Sequence, residues 1–302
     1  MAEAILTEAL SKSYGEVKAL DALDLEVRAG EIFGFLGPNG AGKTTTIRLL
    51  LDVIRPNSGF ARVLGLDPRA QGVELRSRVG YLPGDFIVDG RQTSREFLTF
   101  LGNLRGGLPQ SAMVDLADRL DLDLGLEAKI GTLSKGNRQK VGLVQAFMHE
   151  PELLILDEPT SGLDPLVTRE FLTMAAEARA KGQTLFMSSH ILTEVQQVAD
   201  RAGIIRHGRL IAIDDVDALR SRAMREVRIS FAEPVAETEF QSIDGVSDLV
   251  VEEGVLRCRL IGEADALIKT AARHRVIDFI SEEPDLETLF FHYYTGEETH
   301  AG

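Results

Sequence analysis

Cysteine and long apolar runs are scarce in this chain of 302 residues, and each scarcity excludes a class of protein. There is one cysteine, Cys258, so no internal disulfide can form, and the alternating run around it predicts a buried structural thiol. No stretch approaches the roughly 20 apolar residues of a membrane-spanning helix. The first ten residues also lack the basic start of a signal peptide. We therefore expect a protein that does not itself cross a membrane.

Aromatic residues and positive charge are also in short supply. Aromatics make up 6% of the chain and tryptophan is absent, whereas glycine is frequent at 28 residues. This profile fits an α/β nucleotide-binding protein better than a β-sandwich. The formal net charge of −14 is unfavourable for coating nucleic acid, because phosphate binding needs a basic face. We therefore expect a well-solvated protein with no nucleic-acid partner.

Strands and helices alternate in the sequence from residue 1 to about 221, which we expect to form one α/β domain. Three apolar runs have the length and composition of buried strands, at Glu31–Leu36, Leu153–Leu156 and Thr184–Ser188. Apolar residues at helical spacing follow the first run, over Lys43–Val53. This alternation predicts a mostly parallel sheet covered by helices.

Three local patterns add detail to this domain. Leu23–Val27 alternates apolar and polar residues, as an antiparallel strand would. Residues from about 86 to 150 are mainly helical in pattern, and Thr93–Glu96 there has the form of a capping box. Apolar runs on both sides of Arg206–Arg209 predict a hairpin.

From residue 222 to 302 the pattern changes, and we expect a small α+β accessory domain. Strands are expected at Val227–Phe231, Leu249–Val251 and Val255–Leu260. Helices are expected at Ala264–Ala272 and Leu286–Tyr294.

Gly37–Thr44 reads GPNGAGKT and matches the phosphate-loop pattern G-x-x-x-x-G-K-[ST], between a predicted strand and a predicted helix. Glycine lets the backbone curl so that N–H groups point at phosphate oxygens, and the helix N-terminus adds partial positive charge. Lys43 can reach the β- and γ-phosphates, the Thr44 hydroxyl can bind Mg²⁺, and Thr45 can touch the α-phosphate. The loop by itself indicates a nucleoside triphosphate and no narrower class. The residues expected to contact nucleotide are Asn39, Gly40, Ala41, Gly42, Lys43, Thr44 and Thr45.

Two carboxylates follow the second of the predicted buried strands. Asp157 should lie at the carboxyl end of that strand, near the phosphates, where it can hold Mg²⁺ through water. Glu158 is placed to polarise an attacking water. A carboxylate there favours hydrolysis over transfer to another molecule, because it can act as a general base.

Together with these motifs, four further features closely resemble the ABC ATPase family over residues 1 to about 215. Leu133–Asn137 resembles the family's signature motif, Ser161–Asp164 its D-loop, His190 its switch histidine and Tyr14 the aromatic residue that stacks on adenine. The resemblance implies a P-loop NTPase cassette with a mostly parallel sheet, an antiparallel β subdomain and a helical subdomain. It implies ATP and Mg²⁺ as cofactors. The catalytic residues that it implies are Lys43, Glu158 and His190.

The same resemblance implies partners. In the family, the signature motif binds the γ-phosphate of ATP held by the opposite chain, through residues that correspond here to Ser134 and Gly136, with Asp164 of the D-loop also contacting nucleotide. Because this chain has one phosphate loop and one signature motif, it must pair head to tail with a second copy or a related ATPase. The other implied partner is a separate polytopic membrane permease. The implied location is the cytoplasmic face of the cell membrane.

The C-terminal end carries a shorter and less specific resemblance. Pro284–Phe290, with Tyr293 and Tyr294, is similar to the C-terminal extension of bacterial ABC ATPases that serve drug- and antibiotic-export permeases. The expected activity is therefore ATP hydrolysis that powers the export of drugs or other small hydrophobic compounds.

Two motifs depart from the family pattern. Gly84 stands where the family has the Q-loop glutamine, which reaches Mg²⁺ and senses the permease. The neighbouring Asp85 could supply an oxygen ligand instead, or it could cap the loop while water completes the metal's shell. In the signature motif Lys135 replaces a glycine and Asn137 replaces a glutamine, whereas the phosphate-facing residues are kept.

Two other functions compete with transport. A soluble, non-transport ABC ATPase would share the cassette, but such relatives carry a second cassette or long coiled coils, and this chain has neither. A P-loop kinase or GTPase would share the phosphate loop, but Glu158 and the signature motif speak against it.

Overall fold

The structure is a computed structural model that describes residues 2–125, 127–216 and 225–282, without the side chain of Leu192. The chain divides into two compact units, Met1–Asp214 and Asp215–Gly302. The domain boundary predicted at 221–222 lies outside the described residues. So do the helix predicted at Leu286–Tyr294 and the tail motif that begins at Pro284.

The described part of the first unit alternates strands with helices. Its strands are β1 (Glu3–Tyr14), β2 (Val17–Arg28), β3 (Ile32–Leu36), β4 (Ser58–Val63), β5 (Val79–Leu82), β6 (Leu153–Asp157), β7 (Thr184–Ser189), β8 (Arg201–Arg206) and β9 (Arg209–Asp215). Its helices are α1 (Lys43–Leu50), α2 (Gly72–Arg78), α3 (Ser94–Leu104), α4 (Gln110–Arg119), α5 (Lys135–Phe147), α6 (Pro165–Ala180) and α7 (Leu192–Val198), with a 3₁₀ turn at Ile130–Thr132.

The main sheet of this unit has the strand order β5-β6-β7-β3-β8-β9, and its first five strands run parallel. Every residue of β3, β6 and β7 is buried, as their mostly apolar sequences predict for strands covered on both faces. The predicted mostly parallel sheet is confirmed. Because parallel strands end at one edge, the segments that follow β3, β6 and β7 lie side by side.

The last strand of the sheet is reached through the two-residue turn His207–Gly208. Both residues have positive φ, 48° and 75°, as a type I′ turn requires. A Cβ on Gly208 would lie 2.7 Å from the carbonyl oxygen of Ala19, so glycine also allows this close approach. The hairpin predicted here is confirmed.

A smaller antiparallel sheet has the order β2-β1-β4. The antiparallel strand predicted at Leu23–Val27 is confirmed and is longer than expected, since β2 begins at Val17. Inward residues of this sheet share one core with the main sheet, in which the ring of Phe186 lies 5.9 Å from that of Phe33 and 5.3 Å from that of Phe35.

Helix boundaries follow local capping. The capping box predicted before α3 is present, because Thr93 Oγ1 accepts from Glu96 N and Glu96 Oε2 accepts from Thr93 N. The helix predicted over Lys43–Val53 is shorter than expected and ends at Leu50. Asp52 takes a left-handed φ of 52°, and Val53 N bonds back to the Arg48 carbonyl, which closes the helix.

The second unit contains a four-stranded antiparallel sheet of order β11-β12-β10-β13 and one described α-helix. These elements are β10 (Arg225–Phe231), β11 (Val246–Glu252), β12 (Val255–Leu260), α8 (Asp265–Ala271) and β13 (Val276–Glu282). The three strands and the helix that the sequence predicts between residues 227 and 272 are confirmed. The sequence did not predict β13. Cys258 is buried in the core of this unit as expected, and burial raises the pKa of its thiol to about 11.

Candidate functional site

The phosphate loop connects β3 to α1 in the strand-loop-helix order that the sequence predicts. Gly40 and Gly42 have φ of 81° and 117°, which favours glycine. A Cβ on Gly37 would lie 2.4 Å from the carbonyl oxygen of Ile205, so the loop packs directly on β8. Glycine is therefore needed here both for curvature and for close packing. The backbone N–H groups in the first turn of α1 point toward the loop. Thr44 and Thr45 in this turn are partly exposed.

Lys43 is the first residue of α1, and its side chain is buried. Its Nζ donates to the Gly37 carbonyl at 2.5 Å and lies 3.2 Å from Glu158 Oε1. The second contact is an ion pair without hydrogen-bond geometry, since Glu158 Oε1 makes no hydrogen bond in the described structure. Lys43 thus contacts both the phosphate loop and the acid pair.

Asp157 ends β6 and is fully buried. Its Oδ1 accepts a hydrogen bond of 2.5 Å from Ser188 Oγ, whereas Oδ2 has no hydrogen-bond partner among the described residues. A buried carboxylate oxygen without a partner is costly unless an ion or water meets it.

A magnesium ion fits this oxygen. Within the described ranges no group of three or more His, Cys, Asp or Glu side chains could hold a metal by themselves. Mg²⁺ does not need such a cage, because it is commonly bound by one or two carboxylates together with water and substrate phosphates. Asp157 Oδ2 is a carboxylate oxygen of that kind, and the hydroxyl of a phosphate-loop threonine such as Thr44 is a further oxygen that suits Mg²⁺.

Glu158 adopts a φ of 51°, which is uncommon for a residue with a side chain. Its backbone N donates to the Ser188 carbonyl at 3.2 Å and to Ser188 Oγ at 3.1 Å. With this backbone, Oε1 lies beside Lys43 and Oε2 lies 2.6 Å from His190 Nδ1. The three residues expected to be catalytic are therefore in contact.

The signature segment lies at the start of α5. Ser134 is the N-cap, and its Oγ accepts from Asn137 N at 3.2 Å. A Cβ on Gly136 would lie 2.6 Å from the Gly162 carbonyl oxygen, so the glycine lets the signature segment pack on the D-loop of the same chain. Lys135 Nζ donates to Ser161 Oγ at 2.8 Å, which adds a second link between the two segments.

Tyr14 and Asp164 are two further residues that the family resemblance assigns to nucleotide binding. Tyr14 ends β1 with 47% of its surface exposed, and Lys12 Nζ lies 5.4 Å from the centre of its ring. Asp164 is the N-cap of α6 and accepts from the backbone N of Val167 and of Leu166. These hydrogen bonds lower the pKa of the Asp164 carboxyl.

Gly84 and Asp85 differ in what they face. A Cβ on Gly84 would lie 3.1 Å from Asp157 Oδ2, so residue 84 adjoins the buried acid directly. Asp85 is exposed, and its side chain makes no hydrogen bond or ion pair among the described residues. Because position 84 has no side chain, no group from this position fills the space beside Asp157 Oδ2.

Three polar residues at this site were not found by sequence reasoning. Gln139 of α5 donates to the carbonyl oxygens of Glu158 and Pro159, and Thr160 donates to Glu194. All three side chains are buried. No local sequence signal marks these residues, since their hydrogen-bond partners lie 19 to 34 residues away in the chain.

Known proteins resemble this chain over most of its length. Residues 20–161 match the family model described as ABC transporter. The bacitracin transport ATP-binding protein BcrA of Bacillus licheniformis is 36% identical over 263 residues, which cover 85% of this chain and 85% of BcrA. The chain belongs to the ABC transporter ATP-binding proteins.

Two further likenesses agree with this membership. The daunorubicin/doxorubicin resistance ATP-binding protein DrrA of Streptomyces peucetius is 36% identical over 242 residues, which cover 78% of this ABC ATPase and 73% of DrrA. A solved ATP-binding subunit of an ABC transporter is 30% identical with a TM-score of 0.65, over 72% of this chain and 92% of that one. The cassette fold predicted from the sequence is confirmed.

Family membership establishes the general activity. Members of this family bind and hydrolyse ATP to power transport, so this chain is an ABC-type ATPase and the ATP-binding subunit of an ABC transporter. None of the helices in the described parts of the chain is long and apolar enough to span a bilayer.

Proposed function

We propose that this ABC ATPase is the motor subunit of an exporter of drugs or other small hydrophobic compounds. The catalytic part of the proposal rests on one observation, the contact of Lys43, Glu158 and His190 beside the phosphate loop. The export part rests on the relatives, since BcrA is named for bacitracin transport and DrrA for daunorubicin and doxorubicin resistance.

ATP binding follows from the loop and its neighbours. Lys43 exchanges its contacts with Gly37 and Glu158 for the β- and γ-phosphates, to which a buried ammonium group is strongly attracted. The half-exposed ring of Tyr14 stacks on adenine. The remaining contacts come from the N–H groups and hydroxyls of Asn39, Gly40, Ala41, Gly42, Thr44 and Thr45.

Hydrolysis uses Glu158 as general base. Water attacks the γ-phosphorus, one of its protons passes to the Glu158 carboxylate, and ADP leaves as phosphate forms. His190, 2.6 Å from Glu158 Oε2, orients that carboxylate and reaches toward the γ-phosphate. Lys43 stabilises the charge on the phosphate oxygens.

Mg²⁺ would be held by the Thr44 hydroxyl and Asp157, with Asp85 partly replacing the missing Q-loop glutamine. The buried, unpartnered Oδ2 of Asp157 supports this site. When bound, the ion neutralises charge on the β- and γ-phosphates.

Two chains close head to tail around two ATP molecules, each with Mg²⁺. No hydrogen bond or ion pair between described residues joins the signature segment 133–137 to the phosphate loop of its own chain. Ser134 is exposed at the N-terminus of a 13-residue helix, where backbone N–H groups attract an anion. Ser134, Gly136 and Asp164 therefore contact the nucleotide of the opposite chain, a second copy or a related ATPase.

The motor works at the cytoplasmic face of the cell membrane through a separate polytopic permease. The Q-loop region around Gly84 and the helical segment from about 86 to 115 pass movement to this partner. Membership among transporter ATP-binding subunits supports a permease partner, and the net charge of −14 speaks against a nucleic-acid partner.

Substitution of the base tests the catalytic proposal. Glu158→Gln should keep ATP affinity, accumulate a dimer in size-exclusion chromatography with MgATP, and hydrolyse about 10²-fold more slowly, because an amide cannot accept the proton. Lys43→Ala should instead weaken ATP binding itself, and Lys181→Ala, at an exposed lysine, is its control. Near-normal turnover by Glu158→Gln would overturn the assignment.

Co-purification tests the transporter proposal. The tagged full chain should retain a polytopic membrane protein after detergent extraction, and that protein should raise efflux of a hydrophobic dye only with the unsubstituted ATPase. If solubilised membranes yield no such partner, the proposed pairing with a separate permease is wrong.

A further inference from the structure

Two chain segments run side by side at the catalytic site. One is 157–160, which follows β6, and the other is 188–194, from the end of β7 into α7. Three side-chain contacts join them, namely Ser188 Oγ to Asp157 Oδ1 at 2.5 Å, His190 Nδ1 to Glu158 Oε2 at 2.6 Å and Thr160 Oγ1 to Glu194 Oε2 at 2.6 Å. The first two contacts belong to the site described above, and the third lies beyond it.

The third contact is a buried hydrogen bond. Thr160 is 6% exposed and Glu194 is 9% exposed. Burial raises the pKa of the Glu194 carboxyl, while the hydrogen bond from Thr160 and the nearby His190 oppose that change. Burial of a carboxyl group is unfavourable without a hydrogen-bond partner. The bond from Thr160 therefore holds the Glu194 side chain in one position.

The His190 side chain has few contacts of its own. Its side chain is 49% exposed, and Glu158 is its one hydrogen-bond partner in the described structure. The residues on either side bond locally, since Ile191 N donates to Ser189 Oγ and Ser189 Oγ donates to the Ile191 carbonyl. Neither bond reaches the segment that carries Glu158.

The helix that follows His190 is fixed on two sides. Val195 packs into the space over Gly34 of β3, where a Cβ would lie 2.2 Å from Val195 Cγ1. Glu194, its neighbour, reaches Thr160. The start of α7 is therefore tied both to the sheet and to the loop of the catalytic acid.

We propose that Thr160 and Glu194 are a positioning pair that sets the separation of Glu158 and His190 for ATP hydrolysis. The inference rests on the roles proposed above for those two residues. Neither Thr160 nor Glu194 touches the reacting atoms in this scheme. Their hydrogen bond acts through the backbone that carries the base and the histidine.

Steady-state ATPase assays on the full chain test this pair. Thr160→Val and Glu194→Ala should each lower kcat by about 10-fold or more, because small misplacements of catalytic groups are costly, with KM within about 2-fold. Thr160→Ser should restore kcat, since it keeps the hydroxyl. Glu194→Gln should also retain kcat, because its amide oxygen accepts the same hydrogen bond. Thr173→Val, at an exposed threonine of α6, is the matched control.

A double variant separates positioning from folding. Thr160→Val leaves a buried carboxyl without its donor and can unfold the chain, whereas Thr160→Val with Glu194→Met removes both polar groups together. The double variant should recover the thermal unfolding midpoint of the unsubstituted protein and keep the low kcat. Recovery of kcat together with stability would mean that the pair is merely structural, and the proposal would be wrong.

Assay of Glu158→Gln alongside separates the two proposals. If Glu158→Gln is inactive but Thr160→Val turns over normally, the positioning pair is refuted and the role of Glu158 stands. If Glu158→Gln itself turns over normally, the proposed mechanism fails first. Equal losses in Thr160→Ser and Thr160→Val would also refute the pair, because the hydroxyl would then not be the responsible group.

Discussion

Three buried side-chain atoms in the described structure lack a hydrogen-bond partner: Asp157 Oδ2, Glu158 Oε1 and His149 Nδ1. An unsatisfied buried polar atom costs on the order of 1–3 kcal/mol. Two of the three lie at the site proposed for phosphate and Mg²⁺, where a ligand would satisfy them. At the ATP site the fold thus keeps two carboxylate oxygens without a hydrogen bond, and the one on Glu158 is in an ion pair with Lys43.

Asp85 gives a residue-scale prediction about the metal. If Asp85 partly replaces the Q-loop glutamine, Asp85→Ala should raise the Mg²⁺ concentration for half-maximal ATPase several-fold, as expected for the loss of a carboxylate ligand. Titration of ATPase rate and of Mn²⁺ binding by electron paramagnetic resonance would measure it. Asp89→Ala is the control, since Asp89 is exposed in the same loop and pairs with Arg91. An unchanged Mg²⁺ dependence would refute the role of Asp85.

His149 gives a prediction about pH. Burial, aided by the positive charge of Arg105, lowers the pKa of His149 from its ordinary 6.5 to about 4. Since the folded-state pKa lies below the unfolded one, neutral His149 stabilises the fold above pH 6.5, and that stability is lost as pH falls through 4. The urea midpoint of His149→Gln should therefore fall less between pH 7 and pH 4 than that of the unsubstituted chain. His207→Asn, at an exposed turn, should show no such difference.

At the scale of elements, local sequence predicts the strands that are buried on both faces, and it misses an irregular strand such as β1. The buried strands β3, β6 and β7 were predicted because burial on both faces leaves a run of mostly apolar residues. β1 was not, because register shifts along its pairing with β2 interrupt the alternation that would reveal it. The path of an irregular strand depends on the strand with which it pairs. The sequence of one strand alone does not carry that information.

The capping box of α3 allows a test of one element. Thr93→Ala should lower the free energy of unfolding by about 1 kcal/mol, because the first turn loses an N-cap hydrogen bond. Guanidinium denaturation followed by circular dichroism measures the change. Thr99→Ala, inside the same helix, removes a hydroxyl without a capping role and should not destabilise. Equal effects of the two substitutions would contradict a role for the box.

At the scale of the whole molecule, each compact unit has its own hydrophobic core. The core of the first unit includes Phe33 and Phe186, and that of the second includes Phe231, Phe240 and Cys258. A unit with its own core can in principle fold alone. All the residues assigned to ATP, Mg²⁺ and hydrolysis belong to the first unit.

A truncation tests this separation. A fragment of residues 1–216 should unfold cooperatively on heating and bind ATP with the affinity of the full chain, because it retains its core and every nucleotide contact. Isothermal titration with ATP and thermal circular dichroism measure both properties. The same fragment with Lys43→Ala is the matched control for binding. A fragment that is unfolded, or folded without ATP affinity, would contradict the prediction.

Local sequence alone determined the phosphate loop, the acid pair, the capping box and the buried parallel strands. Each depends on glycine spacing, end-capping or apolar runs, which act between near neighbours in the chain. Family resemblance extended this to His190 and the signature motif. Only the tertiary structure decided which polar groups meet: Lys43 with Glu158, Gln139 with the Glu158 carbonyl, and Thr160 with Glu194. These partners are distant in sequence. Those that follow β3, β6 and β7 meet because these strands lie side by side and end at one edge of the sheet, and Gln139 reaches the same place from α5.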